Sequence, residues 1–302
     1  MADEITDPLP PRLKDTKRKD VLPVEEVVQA VLAGAKYAAI APALVADIAV
    51  QELAKGARAK DAVKQVKSRL HQSVAAYWDG RANYAAWRAA LDAAQDETSL
   101  RTALLSIMGA HHSTRERLPF LTEFYRTVFD RLAPIRSVLD LGCGLNPLAL
   151  PWMNLPAETV YYACDVDREQ MTFLAGWLEK VDRRGQAFVW SLLDGAPQIE
   201  GLLQQGDVDA ERPAEPIDVA LLLKIVPCLE QLDKRIGARL LDEVTAQALI
   251  VSFPAQSLGG RRKGMVEHYT AHMNALLDGR GYTVERFEFA GELVFRLRKG
   301  DR

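Results

Sequence analysis

Cysteine is scarce in this chain. Cys143, Cys164 and Cys228 are the three cysteines among 302 residues, and their scatter suits neither a disulfide framework nor a zinc site. A reducing cytoplasm fits that usage. No run approaches the roughly 18 apolar residues that span a bilayer, so no membrane segment is expected. Met1 to Pro11 is acidic and proline-rich with no apolar centre, which predicts no secretory leader. Neither sign of charge dominates: 38 Lys and Arg stand against 41 Asp and Glu, a net charge of −3. Any nucleic-acid contact must therefore come from local patches. A metal centre is not expected, because His268 and His272, one turn apart on a helix beside Glu267, have no third ligand in step.

One absence falls inside the most informative stretch. Ser137 to Leu141 is a short apolar run bearing Asp140, broken by Gly142-Cys143-Gly144. It predicts a buried parallel strand ending in a turn where backbone can approach a ligand. The third glycine of a dinucleotide fingerprint is missing, and Asn146-Pro147 occupies its region, so NAD or FAD fits poorly. The acid-x-Gly-x-Gly spacing resembles the first motif of class I S-adenosylmethionine (SAM) methyltransferases. A second predicted strand, 159–164, leads into Asp165, 25 residues after Asp140. An acid at the tip of the next strand can accept hydrogen bonds from both hydroxyls of a ribose. For this residue taken alone, a loop-capping aspartate is the lesser reading.

Residues 1–20 read as a mobile arm, basic from Arg12 to Lys19. Residues 21–110 read as all helix, punctuated by Pro23, Pro42, Gly56, Gly80 and Gly109. In the helix predicted from Lys60 to Trp78, Val63, Val66, Leu70, Val74 and Tyr77 recur as a core stripe. Lys60, Lys64, Lys67 and His71 lie elsewhere on it, with Lys55, Arg58 and Arg69 nearby. That face suits either solvent or a phosphate backbone. Trp78 and Trp87 are expected in the core of this helical unit. A helix is predicted from Arg115 to Leu132, capped by Ser113 or Thr114. Strands are predicted at 137–141, 159–164, 186–190, 217–223, 246–252, 282–288 and 292–298, with helices between. Such alternation implies an open, mainly parallel sheet covered on both faces, with ligands beyond the carboxyl ends of its strands.

Several phrases in order carry a more specific resemblance: HHSTRERL at 111–118, VLDLGCGLNPLA at 138–149, ACDVD at 163–167, ALLLKIVPCLE at 220–230, VSFPAQSLGGRRKGM at 251–265 and GELVFRL at 291–297. Together they are similar to the 16S rRNA (guanine-N7) methyltransferases of the aminoglycoside-resistance group, which modify guanine 1405. Ala255 and Gly291 depart from the expected Thr and Asn. The resemblance implies a class I SAM-dependent methyltransferase domain, Rossmann-like with a mainly parallel seven-stranded sheet, at 111–302. An all-α domain that docks on rRNA in the 30S subunit precedes it at 21–110. It further implies SAM as the methyl donor, released as S-adenosylhomocysteine; a cytoplasmic monomer without metal or membrane is the default expectation.

Residue roles follow from the same resemblance. His111, Ser113, Thr114, Arg115 and Arg117 hold the methionine end of SAM, with Gly142 and Gly144 beneath it. Asp165 takes the ribose, Leu193 and Asp194 meet the adenine, and Leu223 and Gln231 complete the pocket. Glu292, Arg261 and Met265 stand by a flipped guanine as catalytic residues. Lys60, Lys64, Lys67, Arg69, Lys224, Arg261 and Arg262 contact rRNA. Three other readings remain: a cytosine-C5 enzyme using Cys228 after Pro227, a small-molecule methyltransferase, and a non-catalytic RNA-binding protein.

Overall fold

The structure is a computed structural model that describes residues 18–78, 80–132, 134–199, 217–256 and 264–299. Most of the expected arm, and Arg261 and Arg262, lie outside the described residues.

Three helices open the fold: α1 (Arg18–Leu32), α2 (Pro42–Ala54) and α3 (Ala59–Ser73). Pro42 starts α2, where its missing N–H costs nothing. Val27, Val31, Val45, Ile48, Val66 and Leu70 close on one another as a separate apolar core. Of the expected stripe, Val66 and Leu70 are fully buried. The α3 helix stops at Ser73, and a 3₁₀ turn (Ala75–Tyr77) carries the chain on to Trp78.

Helices α4 (Tyr84–Ala93) and α5 (Glu97–Met108) pack elsewhere. Tyr84, Leu91, Leu104, Ile107 and Met108 join the core beneath the sheet, with Trp78 and Trp87 against them. Trp87 meets Phe173 edge-on at 5.7 Å, so the two tryptophans belong to the sheet's core and not to the three-helix unit. The helix expected from Arg115 to Leu132 is broken. It becomes α6 (His112–Arg117), a 3₁₀ turn (Leu118–Phe120) and α7 (Leu121–Val128). Pro119 has no N–H for an α-helical bond, and its ring would clash with the preceding turn.

Among the described residues seven strands follow: β1 (Ser137–Leu141), β2 (Val160–Asp165), β3 (Gly185–Val189), β4 (Ile217–Leu223), β5 (Ala246–Pro254), β6 (Tyr282–Phe289) and β7 (Glu292–Lys299). Their order is β3-β2-β1-β4-β5-β7-β6. Strands β1 to β5 run parallel, while β7 is antiparallel to β5 and to β6. Every residue of β1 and β4 is buried, as a continuous apolar run predicts for central strands covered on both faces. Between strands lie α8 (Leu150–Met153), α9 (Arg168–Lys180), α10 (Val226–Glu230), α11 (Ile236–Glu243) and α12 (Met265–Leu277). The strand order reverses between β1 and β4, which opens a crevice at their carboxyl ends.

The three-helix unit is tied to the rim of that crevice by main-chain bonds. Ala41 N–H donates to the Val166 carbonyl at 2.8 Å, and Arg168 N–H to Ala39 at 2.8 Å. Arg69 donates to the Leu232 carbonyl at 2.9 Å from the other side.

Candidate functional site

Gly142 and Gly144 turn the chain out of β1 with φ of +63° and +52°. A Cβ on Gly142 would lie 2.5 Å from Ile225 Cγ1, and one on Gly144 would lie 3.0 Å from His111 Cε1. The bare backbone is therefore required by space as well as by conformation. Gly144 N–H donates to Asp165 Oδ2 at 2.9 Å, and Val166 N–H to Oδ1 at 2.7 Å. Burial raises the Asp165 pKa, and these N–H groups with Gln170 oppose it. Each carboxylate oxygen keeps a lone pair for another donor.

Above this turn lies an open cleft of about 770 Å³. The sheet side contributes the glycine turn, Asp165, Gln170 and the segment Trp190–Leu192. The β4 end adds Leu223, Lys224, Ile225 and Cys228. The remaining wall comes from the N-terminal helices and the turn after them: Leu44, Ser73, Val74, Tyr77 and Trp78. His111 and Ser113 complete it, with Ser113 Oγ 3.1 Å from His111 Nδ1. Burial, and then the nearby cations, push the His111 pKa down to about 3, so its ring is neutral near pH 7.

A polar network runs beneath this wall. Arg117 grips Glu292 with two bonds, Nη2 to Oε1 at 2.6 Å and Nε to Oε2 at 3.0 Å. Its Nη1 donates to Asn146 Oδ1 at 3.0 Å. Asn146 in turn donates to Asp140 Oδ2 at 2.9 Å, which also accepts from the Tyr161 hydroxyl at 2.8 Å. Burial drives the Asp140 pKa up to about 7 against those two bonds, and its Oδ1 has no partner. Glu292 also accepts from Ser252 at 2.5 Å and lies 3.4 Å from Lys224 Nζ. Lys224 Nζ donates to Glu116 at 2.7 Å. Burial favours a neutral Glu292, but Arg117 and Lys224 outweigh it and hold its pKa below the ordinary value.

Several expected residues therefore stand in other places. Glu292 is 0% exposed and Arg117 1%, and neither reaches the cleft wall. Glu292 is a buried counter-ion of Arg117 and Lys224. The Arg117 fork holds this carboxylate beneath the wall. Thr114 is buried, and its hydroxyl donates to the Met108 carbonyl at 2.7 Å. Arg115 bonds the His112 ring at 2.7 Å. Leu193 packs between the two cores and Asp194 faces solvent, because the turn after β3 presents Trp190, Ser191 and Leu192 to the cleft instead. Gln231 is exposed at the end of α10, and Leu232 takes the wall position. Met265 is half-buried at the start of α12, off the wall. Arg69 pairs with Glu52 at 2.9 Å and with the Leu232 carbonyl, so it joins two units and is not free for phosphate. Lys60 and Lys64 are exposed and Lys67 half-buried.

Sequence reading missed Leu44, Ser191 and Ile225 and placed Tyr77 in the core. Tyr77 shares the periodicity of a core stripe, and only the end of α3 at Ser73 turns it to the cleft. Cys228 is buried with Sγ 3.0 Å from the Tyr77 hydroxyl, and burial raises its pKa to about 11. It is a protonated thiol, unlike an activated nucleophile. Among the described residues no group of three His, Cys, Asp or Glu side chains could hold a metal ion, and no helix is long and apolar enough to cross a membrane.

The cleft fits SAM on its own chemistry. The glycine turn leaves room for backbone contact, and Asp165 can accept from a diol. The Ser191 hydroxyl, buried in the wall with no partner, offers a polar contact beside apolar Leu192, Ile225 and Leu229.

Comparison with known proteins places the chain in a family. The family model described as ribosomal RNA methyltransferase (FmrO) matches residues 33–296. A 16S rRNA (guanine(1405)-N(7))-methyltransferase of Micromonospora echinospora is 36% identical over 281 residues, 91% of this chain and 97% of that protein. One of the same name from Frankia casuarinae is 37% identical over 91% of this chain and 94% of its own length. The crystal structure of the 16S rRNA methyltransferase RmtF in complex with S-adenosyl-L-homocysteine superposes with a TM-score of 0.75 at 29% identity, covering 92% of this chain and 98% of that one. This chain belongs to the FmrO family of ribosomal RNA methyltransferases.

Proposed function

We propose that the enzyme transfers a methyl group from SAM to N7 of guanine 1405 of 16S rRNA in the assembled 30S subunit, and so confers aminoglycoside resistance. The observation that carries the reading is the cleft of glycine turn, Asp165 and Ser191 in a chain of this family. Bound SAM supplies a methyl carbon on a cationic sulfur, open to attack by a lone pair. Asp165 would accept from the ribose hydroxyls, Ser191 would offer a hydroxyl to the adenine, and His111 with Ser113 would hold the amino-acid end. Guanine N7 carries a lone pair and no proton, so the protein need not supply a general base. Its task is to hold N7 in line with the methyl and to keep water out. The high pKa of Cys228 speaks against covalent attack on a cytosine.

The three-helix unit acts as the docking module, with exposed Lys60 and Lys64 and the neighbouring Lys67 resting on rRNA phosphates. A positive face spread over a folded surface reads the tertiary shape of assembled rRNA better than a short sequence. The enzyme works as a monomer in the cytoplasm, where its substrate is found. Labelled methyl from SAM should enter 30S subunits and not protein-free 16S rRNA. Chemical cleavage at N7-methylguanine should then map the mark to position 1405, and expressing cells should survive gentamicin and kanamycin. Absence of label, or a mark elsewhere, would overturn the assignment.

A further inference from the structure

The segment after β3 that walls the cleft contains a 3₁₀ turn (Leu192–Asp194) and is closed on itself. Trp190 N–H donates to the Asp165 carbonyl at 3.0 Å, and its indole N–H donates to the Gly195 carbonyl at 2.9 Å. Asp194 N–H returns to the Ser191 carbonyl at 3.0 Å, and Gly195 N–H to Leu192 at 3.1 Å. Two residues of α11 fasten this loop from outside the cleft. Arg239 Nη2 donates to the Leu193 carbonyl at 2.5 Å and reaches the Leu192 carbonyl at 3.4 Å. Glu243, one turn further along α11, accepts from Ala196 N–H at 2.9 Å and lies 3.6 Å from Arg239 Nε. Gly195 turns with a φ of +100°, and a Cβ there would lie 2.5 Å from Glu243 Oε2, so loop and helix are fitted to each other. Neither α11 side chain lines the cleft. The Ser191 hydroxyl does, buried and with no partner.

We propose that Arg239 and Glu243 are positioning residues for the methyl donor: from α11 they fix the turn after β3 so that its Ser191 hydroxyl is presented to the adenine. This rests on the SAM reading of the cleft. The two charges match the polarity of the loop, with a donor-only guanidinium on carbonyls and an acceptor-only carboxylate on an N–H. A ligand that met a loose loop would have to order it at a cost in affinity, and a loop already ordered avoids that cost. Neither residue touches the donor or the reacting atoms. Their loss therefore weakens donor binding and leaves the transfer step intact. Both side chains are more than a third exposed, so each can be changed without opening the core.

Calorimetry with S-adenosylhomocysteine on the full chain reads donor affinity apart from transfer. Arg239→Met should weaken binding by roughly tenfold, the scale of one charge-assisted hydrogen bond. In a Ser191→Ala background the same change should cost less than about threefold, because the hydroxyl that Arg239 aims is gone. With 30S subunits as substrate, the KM for SAM should rise by roughly the same tenfold while kcat stays within about twofold. A role confined to stability would lower the melting temperature without this coupling to Ser191. Equal losses of affinity with and without the Ser191 hydroxyl would overturn the assignment, and so would an unchanged affinity in Arg239→Met. If Arg239→Met does not fold, Glu243→Ala takes its place in both backgrounds, with the same outcomes deciding. A wild-type chain that takes up no S-adenosylhomocysteine would instead refute the SAM reading itself.

Discussion

Asp165, half-buried, and Asp140, fully buried, are acids at the ends of neighbouring strands, yet they face different tasks. Asp165 opens onto the cleft, so Asp165→Ala should weaken SAM uptake by about a hundredfold, the equivalent of one or two charge-assisted hydrogen bonds. Calorimetry on folded protein checks this, and a change under threefold would remove Asp165 from the site. Asp140 has no route to a ligand, and its pKa of about 7 makes it a determinant of stability. An unfolded aspartate titrates near 3.9, on the order of three units lower. Between those values the folded state holds the extra proton, so the contribution of Asp140 to stability falls as pH rises from about 4 to about 7. Asp140→Asn cannot ionise. Its melting temperature relative to wild type should therefore climb between pH 5 and pH 8, on top of any constant offset from altered hydrogen bonds. A flat difference across that range would show that Asp140 stays ionised throughout.

At the level of elements, the β1 turn is the least tolerant point. Gly142→Ala adds backbone strain of roughly 1–3 kcal/mol and also drives a methyl into Ile225. Gly80 has a similar φ of +81° with open space around it, so Gly80→Ala carries the strain alone. Thermal denaturation should show the larger loss at Gly142, and SAM binding should suffer there and not at Gly80. Equal losses would mean that Ile225 yields freely. This turn, and the strands on either side, were legible in the sequence because β1 and β4 are buried on both faces and bounded by glycine or polar breaks. The polar network was not. Arg117 and Glu292 lie 175 residues apart, and no local pattern shows that one neutralises the other. The turn after β3 failed for a smaller reason: a shift of two residues moves Ser191 into the wall and Asp194 into solvent. Pro119 was an ordinary break signal overshadowed by the apolar spacing on either side of it.

For the molecule as a whole, the charge distribution matters more than its sum. The net charge is −3, so affinity for an RNA particle must reside in patches such as the α3 face. Lys60→Glu with Lys64→Glu should weaken 30S binding and lower the slope of log affinity against log salt by roughly two, about 0.9 per lost phosphate contact. SAM affinity should not change, since both side chains lie outside the cleft. An unaltered slope would move the docking surface elsewhere. Leu44 and Tyr77 have a consequence of another kind, because one wall of the cleft is made from the N-terminal stretch. With the three-helix unit as the proposed docking module, ribosome and donor recognition would share this stretch. A chimera that took its first 78 residues from a relative would inherit a foreign wall, and would need matching changes at Ile225 and Leu232 before it could hold its methyl donor.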